Sequence, residues 1–355
     1  LWIGTWGGGL NRFDRATDMF QRYRHTPPDR SDPHTVGSNH ITAICEDRAG
    51  NLWIGTNGGG MSMLRRERGG KEVFKHYHHD PENPGSLPDN RIRALYIDTA
   101  GTLWVGVMNG LCSYDSETDT FQRYSTETMT VLSIAQDKHN TLWLGTDKKG
   151  LMTFDYETEQ IAPYTLKGKI RPAILTISVD AAGNLWCGTW SDGLLVLRRD
   201  AQGREVYTRR FTTSSDPRSL SYNTTLSVYI DRTNTLWVGT YGGGLNKLNR
   251  MTEQFMHYSY NPSLSTLSER SVRTLYEDPE GVIWWGGYNG LNALNRATGE
   301  MTRCENQGSH HPHGLDSNII TVIYEDPLYA GRILWIGTGD ARGAMLNRFD
   351  RDRNT

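Results

Sequence analysis

Cysteine is scarce in this 355-residue chain, which has four, at Cys45, Cys112, Cys187 and Cys304. They are scattered and form no Cys-x-x-Cys pair, which excludes a disulfide scaffold and argues against structural zinc. An excess of one charge is missing too. Lys and Arg number 38 against 40 Asp and Glu, a formal net charge of −2, so no broad basic surface for nucleic acid is expected. Apolar residues make up 36%, and no run approaches the roughly 18 that a membrane helix needs. No membrane contact by this chain is therefore expected. Gly-x-Ser-x-Gly, His-Glu-x-x-His and phosphate-loop signatures are absent. The runs resembling Gly7-Gly8-Gly9 precede no helix, so they present no helix N-terminus to a nucleotide. No cofactor and no resident metal are expected.

Repetition is what the chain does have. Leu-Trp-x-Gly-Thr, or a near copy, recurs at Trp2, Trp53, Trp104, Trp143, Trp186, Trp237, Trp284 and Trp335, with spacings of 51, 51, 39, 43, 51, 47 and 51. Short alternating apolar runs between Gly, Asn, Asp and Pro fill each period. That pattern predicts four-stranded propeller blades rather than helical repeats. In the unit at 39–77, strand A is 41–45, strand B 52–56, strand C 61–64 and strand D 73–77. The fourth residue of successive A–B turns is Gly50, Gly101, Asn140, Gly183, Asn234 and Gly281. Only Gly and Asn occur there, as a left-handed backbone demands. The Asp opening each turn (Asp47, Asp98, Asp137, Asp180, Asp231, Asp278 and Asp326) is expected to cap it. The repeated Trp is expected to pack between neighbouring sheets.

The strand count predicts an all-β fold, a single seven-bladed β-propeller over 1–355, with four-stranded antiparallel blades. The ring would close by pairing strand D at 20–23 with strand C at 345–349. Residues 1–15 would then be surplus strands of a severed preceding blade. An eight-bladed count ranks second. The chain begins inside a repeat, so a fragment of a longer polypeptide is expected.

B–C loops and D–A connections should share one face. The long D–A loops at 24–39, 78–90, 212–223, 259–270 and 304–318 carry Pro and short polar residues, which predicts ordered loops. The connections near 125–130 and 165–172 lack the pattern. The last A–B turn, 326–331, carries an insert. The B–C loops open on Trp6, Asn57, Met108, Asp147, Trp190, Tyr241, Tyr288 and Gly339. Four of these eight are Trp or Tyr, which points to sugar stacking at the mouth. The candidate ligand set is Trp190, Tyr241 and Tyr288 for stacking, Asn57, Asn109 and Asn289 for hydroxyls, and Arg91 and Arg273 for an acidic group. His78-His79 and His310-His311-Pro312-His313 read as solvated loop residues, and the cysteines as small buried hydrophobes.

The unit Ile-x-Ala-Ile-x-Glu-Asp-x-x-Gly-Asn-Leu-Trp-Ile-Gly-Thr-x-Gly-Gly-Gly-Leu-Asn-Arg-Phe-Asp resembles the two-component regulator propeller repeat, best at 41–64, 226–248 and 1–14. The Asp-Pro-x-Ser-Leu-Ser-x-Asn loop form is similar to the family's as well. Asp147-Lys148-Lys149-Gly150 and Gly287 depart from the pattern at the mouth. The resemblance implies a periplasmic sensor region of a bacterial hybrid two-component system, in which two seven-bladed propellers precede a β-sandwich, a membrane helix and a histidine kinase. It also implies an oligosaccharide ligand, the adjoining propeller and signalling domains as partners, and a homodimer through the parent protein. The expected function is ligand sensing without catalysis. The alternatives are a propeller enzyme acting on polysaccharide, a lyase or glycosidase, and a protein–protein scaffold.

Overall fold

The computed structural model describes residues 2–4, 7–14, 19–25, 33–66, 72–124, 129–165, 173–258, 271–304, 318–325, 333–340 and 343–350. They contain strands and turns and no helix. The chain divides into two compact units, Leu1–Ile177 and Ser178–Thr355.

The first unit opens with β1 (Trp2–Gly4), β2 (Leu10–Asp14) and β3 (Met19–Tyr23). Four-stranded sheets follow: β4 (Ile41–Glu46), β5 (Leu52–Thr56), β6 (Met61–Arg66) and β7 (Glu72–Tyr77); β8 (Ile92–Ile97), β9 (Leu103–Val107), β10 (Gly110–Asp115) and β11 (Thr120–Arg123); β12 (Val131–Gln136), β13 (Leu142–Thr146), β14 (Leu151–Asp155) and β15 (Gln160–Pro163). The unit boundary falls within β16 (Ile174–Val179), the first strand of a sheet continued by β17 (Leu185–Thr189), β18 (Leu194–Arg199) and β19 (Glu205–Phe211). The second unit adds β20 (Thr225–Ile230), β21 (Leu236–Thr240), β22 (Leu245–Asn249) and β23 (Gln254–Tyr258), then β24 (Thr274–Glu277), β25 (Val282–Gly286), β26 (Leu291–Asn295) and β27 (Met301–Cys304). It ends with β28 (Ile320–Glu325), β29 (Ile333–Asp340) and β30 (Gly343–Asp350). Each sheet is an antiparallel meander in chain order, so the expected A-B-C-D blade is observed six times.

One expected pairing is corrected. Strand 20–23 was placed beside 345–349, whereas β3 pairs with β2, from Leu10 with Tyr23 to Asp14 with Met19. The head is a three-stranded sheet of β1, β2 and β3, and the tail a three-stranded sheet of β28, β29 and β30. The physical reason is local. β2 and β3 are close in the chain, so they pair at little loop-closure cost, and their register satisfies both backbones.

Strand B is wholly buried in β5, β9, β13, β17 and β21. Its apolar run is continuous because each such strand is covered on both faces. Its Trp side chains meet the following blade. Trp53 lies 4.6 Å from Tyr114, and Trp104 lies 4.6 Å from Phe154, between ring centroids. Trp237 packs with Trp285 and Leu294. The Gly after the Trp lets the next blade in, since a Cβ on Gly55 would sit 2.6 Å from an Ile92 methyl. Cys112 and Cys187 are buried and Cys45 half-buried, all as free thiols. Burial pushes the thiols of Cys45 and Cys187 up to about 12.

The A–B turns explain the repeated Asp. Asp47, Asp98, Asp137, Asp180, Asp231 and Asp278 each accept a hydrogen bond at Oδ2 from the indole N–H six residues on. The distances are 2.9, 2.9, 2.9, 3.0, 2.8 and 2.7 Å. Their Oδ1 atoms accept from the turn's backbone, as Asp231 does from Thr233 and Thr235 at 2.9 and 2.7 Å. The capping expectation holds, and so does the left-handed one. Asn140 and Asn234 both have φ 61°, and Gly50 has φ 81°. Sequence reasoning missed the indole bond. It also missed a second partner from the following blade. Arg250 donates to Asp180 at 3.0 Å, Arg296 to Asp231 at 2.6 Å and Tyr156 to Asp98 at 3.2 Å.

A second clip lies at the C–D turns. Asp119 (φ 60°) accepts from Tyr77 and Tyr114 at 2.9 and 2.8 Å and pairs with Lys75. Glu253 (φ 53°) accepts from Tyr207 at 3.2 Å and pairs with Arg198 and Arg209. In both, a turn carboxylate reaches strand D of the preceding blade.

Truncation of Trp237 to Ala should cost about 3–5 kcal/mol of unfolding free energy, measured by denaturant titration. Burial alone raises the carboxyl of Asp231, but the Trp237 indole, the Thr233 hydroxyl, the Thr235 amide and the Arg296 guanidinium reverse this and hold it below its usual value. Asp180 is lowered in the same way. A depressed native value stabilises the fold above the unfolded-state carboxyl value and ceases to do so as pH falls below it. Melting temperature should therefore drop below about pH 4. Asp231→Asn should lower stability near neutral pH by about 2–4 kcal/mol and flatten that acid arm. An unchanged acid arm would show that Asp231 does not set it.

Candidate functional site

The D–A connections order the B–C loops. In the first unit, Gly58 and Gly60 donate their N–H to Asn90 O at 3.1 and 2.9 Å. In the second, Gly193 donates to Asn223 O at 2.8 Å. The same Asn closes its own loop, with His79 N donating to Asn90 Oδ1 at 2.7 Å and Thr213 N to Asn223 Oδ1 at 2.9 Å. Leu87 and Leu220, in the Ser-Leu step, are fully buried. The expected order of these loops is therefore seen at 78–90 and 212–223, and there they share a face with the B–C loops. Trp6, the loops at 259–270 and 305–317, the stretches 125–128 and 166–172, the turn at 326–332 and the histidines at 310, 311 and 313 lie outside the described residues. Among the described residues no group of three His, Cys, Asp or Glu could hold a metal ion.

In the first unit Asn57, Arg91 and Asn109 come together, though not around an open site. Asn57 and Arg91 form a β-bridge. Arg91 donates from Nε and a terminal nitrogen to the two Asp89 oxygens at 2.9 and 2.6 Å. Asn109 Nδ2 donates to the same carboxylate at 2.8 Å. Burial raises the Asp89 carboxyl, but the Arg91 bonds outweigh it and hold it low. Arg91 was expected to favour an acidic ligand, yet its charge is neutralised by Asp89. The signal was in the sequence, because Asp89 lies two residues before Arg91.

In the second unit the structure brings Trp190 and Tyr241 together. Their ring centroids are 6.5 Å apart, 27° from parallel, and they are 55% and 45% exposed. Hydrogen bonds to Thr224 hold the backbones of both residues to one D–A segment. Tyr241 N donates to Thr224 O at 2.9 Å, and the Thr224 hydroxyl donates to Trp190 O. Tyr288 forms a separate pair, with Arg273 over its ring at 5.1 Å. Asn289, beside Tyr288, is half-buried. Among the described residues no ring contact joins Tyr288 to Tyr241. Two features were not singled out from sequence. Tyr222, 43% exposed, lies against the backbone of Gly242, the residue after Tyr241. Arg210 donates to Asp192 Oδ1 at 3.0 Å beside the Trp190 loop.

Exposed aromatics beside an ion pair suit a ligand with flat apolar faces and hydroxyl edges.

Residues 35–58, 86–109 and 127–148 match the two-component regulator propeller. These three segments are similar to the repeat of that family. A stretch of 83 residues, 20% of this chain and 6% of the relative, is 32% identical to histidine kinase P4 of Formosa agariphila. Among solved structures, the extracellular domain of a protein assigned as a hybrid two-component system of B. thetaiotaomicron is 22% identical. The match covers 99% of this chain and 44% of that one, with a TM-score of 0.52. PorZ, a surface component of the type-IX secretion system of Porphyromonas gingivalis, gives a TM-score of 0.63 at 15% identity, over 95% of this chain and 49% of that one. These likenesses establish the propeller fold. The chain spans less than half the length of each of these three proteins.

Trp190→Ala should shift unfolding free energy by no more than about 0.5 kcal/mol, as a surface substitution does. Denaturant titration beside Trp237→Ala checks this. An equal loss in both would show that Trp190 is a packing residue.

Proposed function

We propose that the chain is part of the ligand-sensing, extracytoplasmic region of a two-component signalling protein, and that it recognises an oligosaccharide without catalysing its cleavage. The single observation that carries the ligand class is the exposed Trp190–Tyr241 pair, its backbones held by hydrogen bonds to Thr224. Large aromatic faces left in water represent unburied apolar surface, and a ligand that covers them gains that burial with little ordering cost. The family repeat and the extracellular relatives support the placement and the sensing role. In this reading the chain sits in the periplasm. Its partners are the oligosaccharide and the adjoining propeller and signalling domains of the parent protein, which would act as a homodimer.

The test is a titration of the 355-residue chain with oligosaccharides from plant and algal polysaccharides, followed by tryptophan fluorescence and calorimetry. Binding should weaken at least about tenfold in the Trp190→Ala, Tyr241→Ala double variant. Product analysis on the same mixtures should show no new chain ends. Their accumulation would favour the propeller-enzyme alternative instead.

A further inference from the structure

Tyr222 is a further exposed ring, lying against Gly242 of the Tyr241 loop. It comes from the D–A connection, whereas Trp190 and Tyr241 come from the B–C loops of two successive blades. Its place is set on both sides. The preceding residue is fixed, because Ser221 N donates to Asn246 Oδ1 at 3.0 Å and Asn246 Nδ2 donates back to Ser221 Oγ at 2.8 Å. Gly242 has φ 112°, a backbone that favours glycine, and a Cβ there would lie 3.4 to 3.6 Å from the Tyr222 ring, at van der Waals distance. The ring therefore lies along the loop that carries Tyr241. Asn223 and Thr224, the next two residues, bind the loops of Trp190 and Tyr241 through Gly193 N, Trp190 O and Tyr241 N. One five-residue segment, 220–224, thus fixes three exposed aromatics, of 55%, 43% and 45% exposure.

Two ion pairs flank this segment. Arg210 pairs with Asp192 at 3.0 Å, and Arg218 pairs with Asp216 at 3.2 Å. Asp192 also accepts from the Ser191 hydroxyl at 3.1 Å. An anionic ligand gains no net attraction from a guanidinium already matched by a carboxylate, and it is repelled by that carboxylate. A hydroxyl both donates and accepts, so it can bond to either member of such a pair without separating it.

We propose that Trp190, Tyr222 and Tyr241 form one platform for an uncharged oligosaccharide, with the Asp192–Arg210 pair supplying hydroxyl contacts. This rests on the oligosaccharide reading above and narrows it to neutral glycans. Tyr222 is a binding residue of that platform and the Asp192–Arg210 pair its charge filter.

The experiment sets neutral hexasaccharides of glucan, xylan and mannan against hexasaccharides of galacturonan and alginate, titrated into the full chain at low and high salt. A neutral member should bind, with affinity changing less than about twofold between the two salt concentrations. Tyr222→Ala should weaken it at least about fivefold and Trp190→Ala at least about tenfold, while Met251→Ala, at a fully exposed turn, leaves it unchanged. Arg210→Gln leaves Asp192 unmatched and should weaken it as well. Circular dichroism and melting of each variant check that the fold survives. Binding only by the uronates, falling steeply with salt, would overturn the neutral class and leave the oligosaccharide reading standing. Neutral binding indifferent to both Tyr222→Ala and Trp190→Ala would overturn the platform. Binding by no member of either set would overturn the platform and the oligosaccharide reading together.

Discussion

A buried carboxylate accepting an indole N–H is the contact on which the blades depend. Burial of an ionised Asp is costly unless its oxygens are filled. At each described A–B turn they are. One oxygen takes the backbone N–H groups of the turn and the other takes the Trp indole, as in Asp137 with His139 N, Thr141 N and Trp143 Nε1. The Trp, in turn, satisfies its one polar atom inside the blade and leaves its whole ring for the neighbour. A single residue pair thus closes a hairpin and orients the largest side chain of the core. Where Arg250 or Arg296 joins from the next blade, the same carboxylate also ties two blades together.

Rigidity made this way reaches the loops. The blades hold strands B and C, and the D–A segments hold the B–C loops by backbone bonds from Gly58, Gly60 and Gly193. Exposed rings on those loops are consequently placed by the scaffold rather than by their own packing. That distinguishes Trp190 from Trp237, which has the same chemistry but is fully buried. The repeat supplies the frame, and the single-copy residues at its edge supply the chemistry.

Much of this was legible before any coordinates. The period near 50, the Gly or Asn at each fourth turn position and the buried Leu-Trp-x-Gly-Thr strand are repeated constraints, and repetition makes them readable from one chain. The candidate site was less legible. Trp190 and Tyr241 were identifiable as loop-opening aromatics, but Tyr222 was hidden in a connection whose polar neighbours marked it only as a loop. Arg91 was expected to favour an acidic group on a ligand, and in the structure Asp89 faces it. The pairing of strand 20–23 was misplaced because a strand count records how many edges exist and not which edge is nearest.

The sequence by itself determined the all-β blade, its order of strands and its turn chemistry, because these depend on contacts within about one repeat and recur with it. Only the tertiary structure decided which charges are spent and which rings stand together. Arg250 meets Asp180 and Arg296 meets Asp231 from the following blade, and Trp190 meets Tyr241 across 51 residues. No local pattern encodes those meetings. They follow from the angle at which one twisted sheet packs on the next, and that angle is set by the whole core.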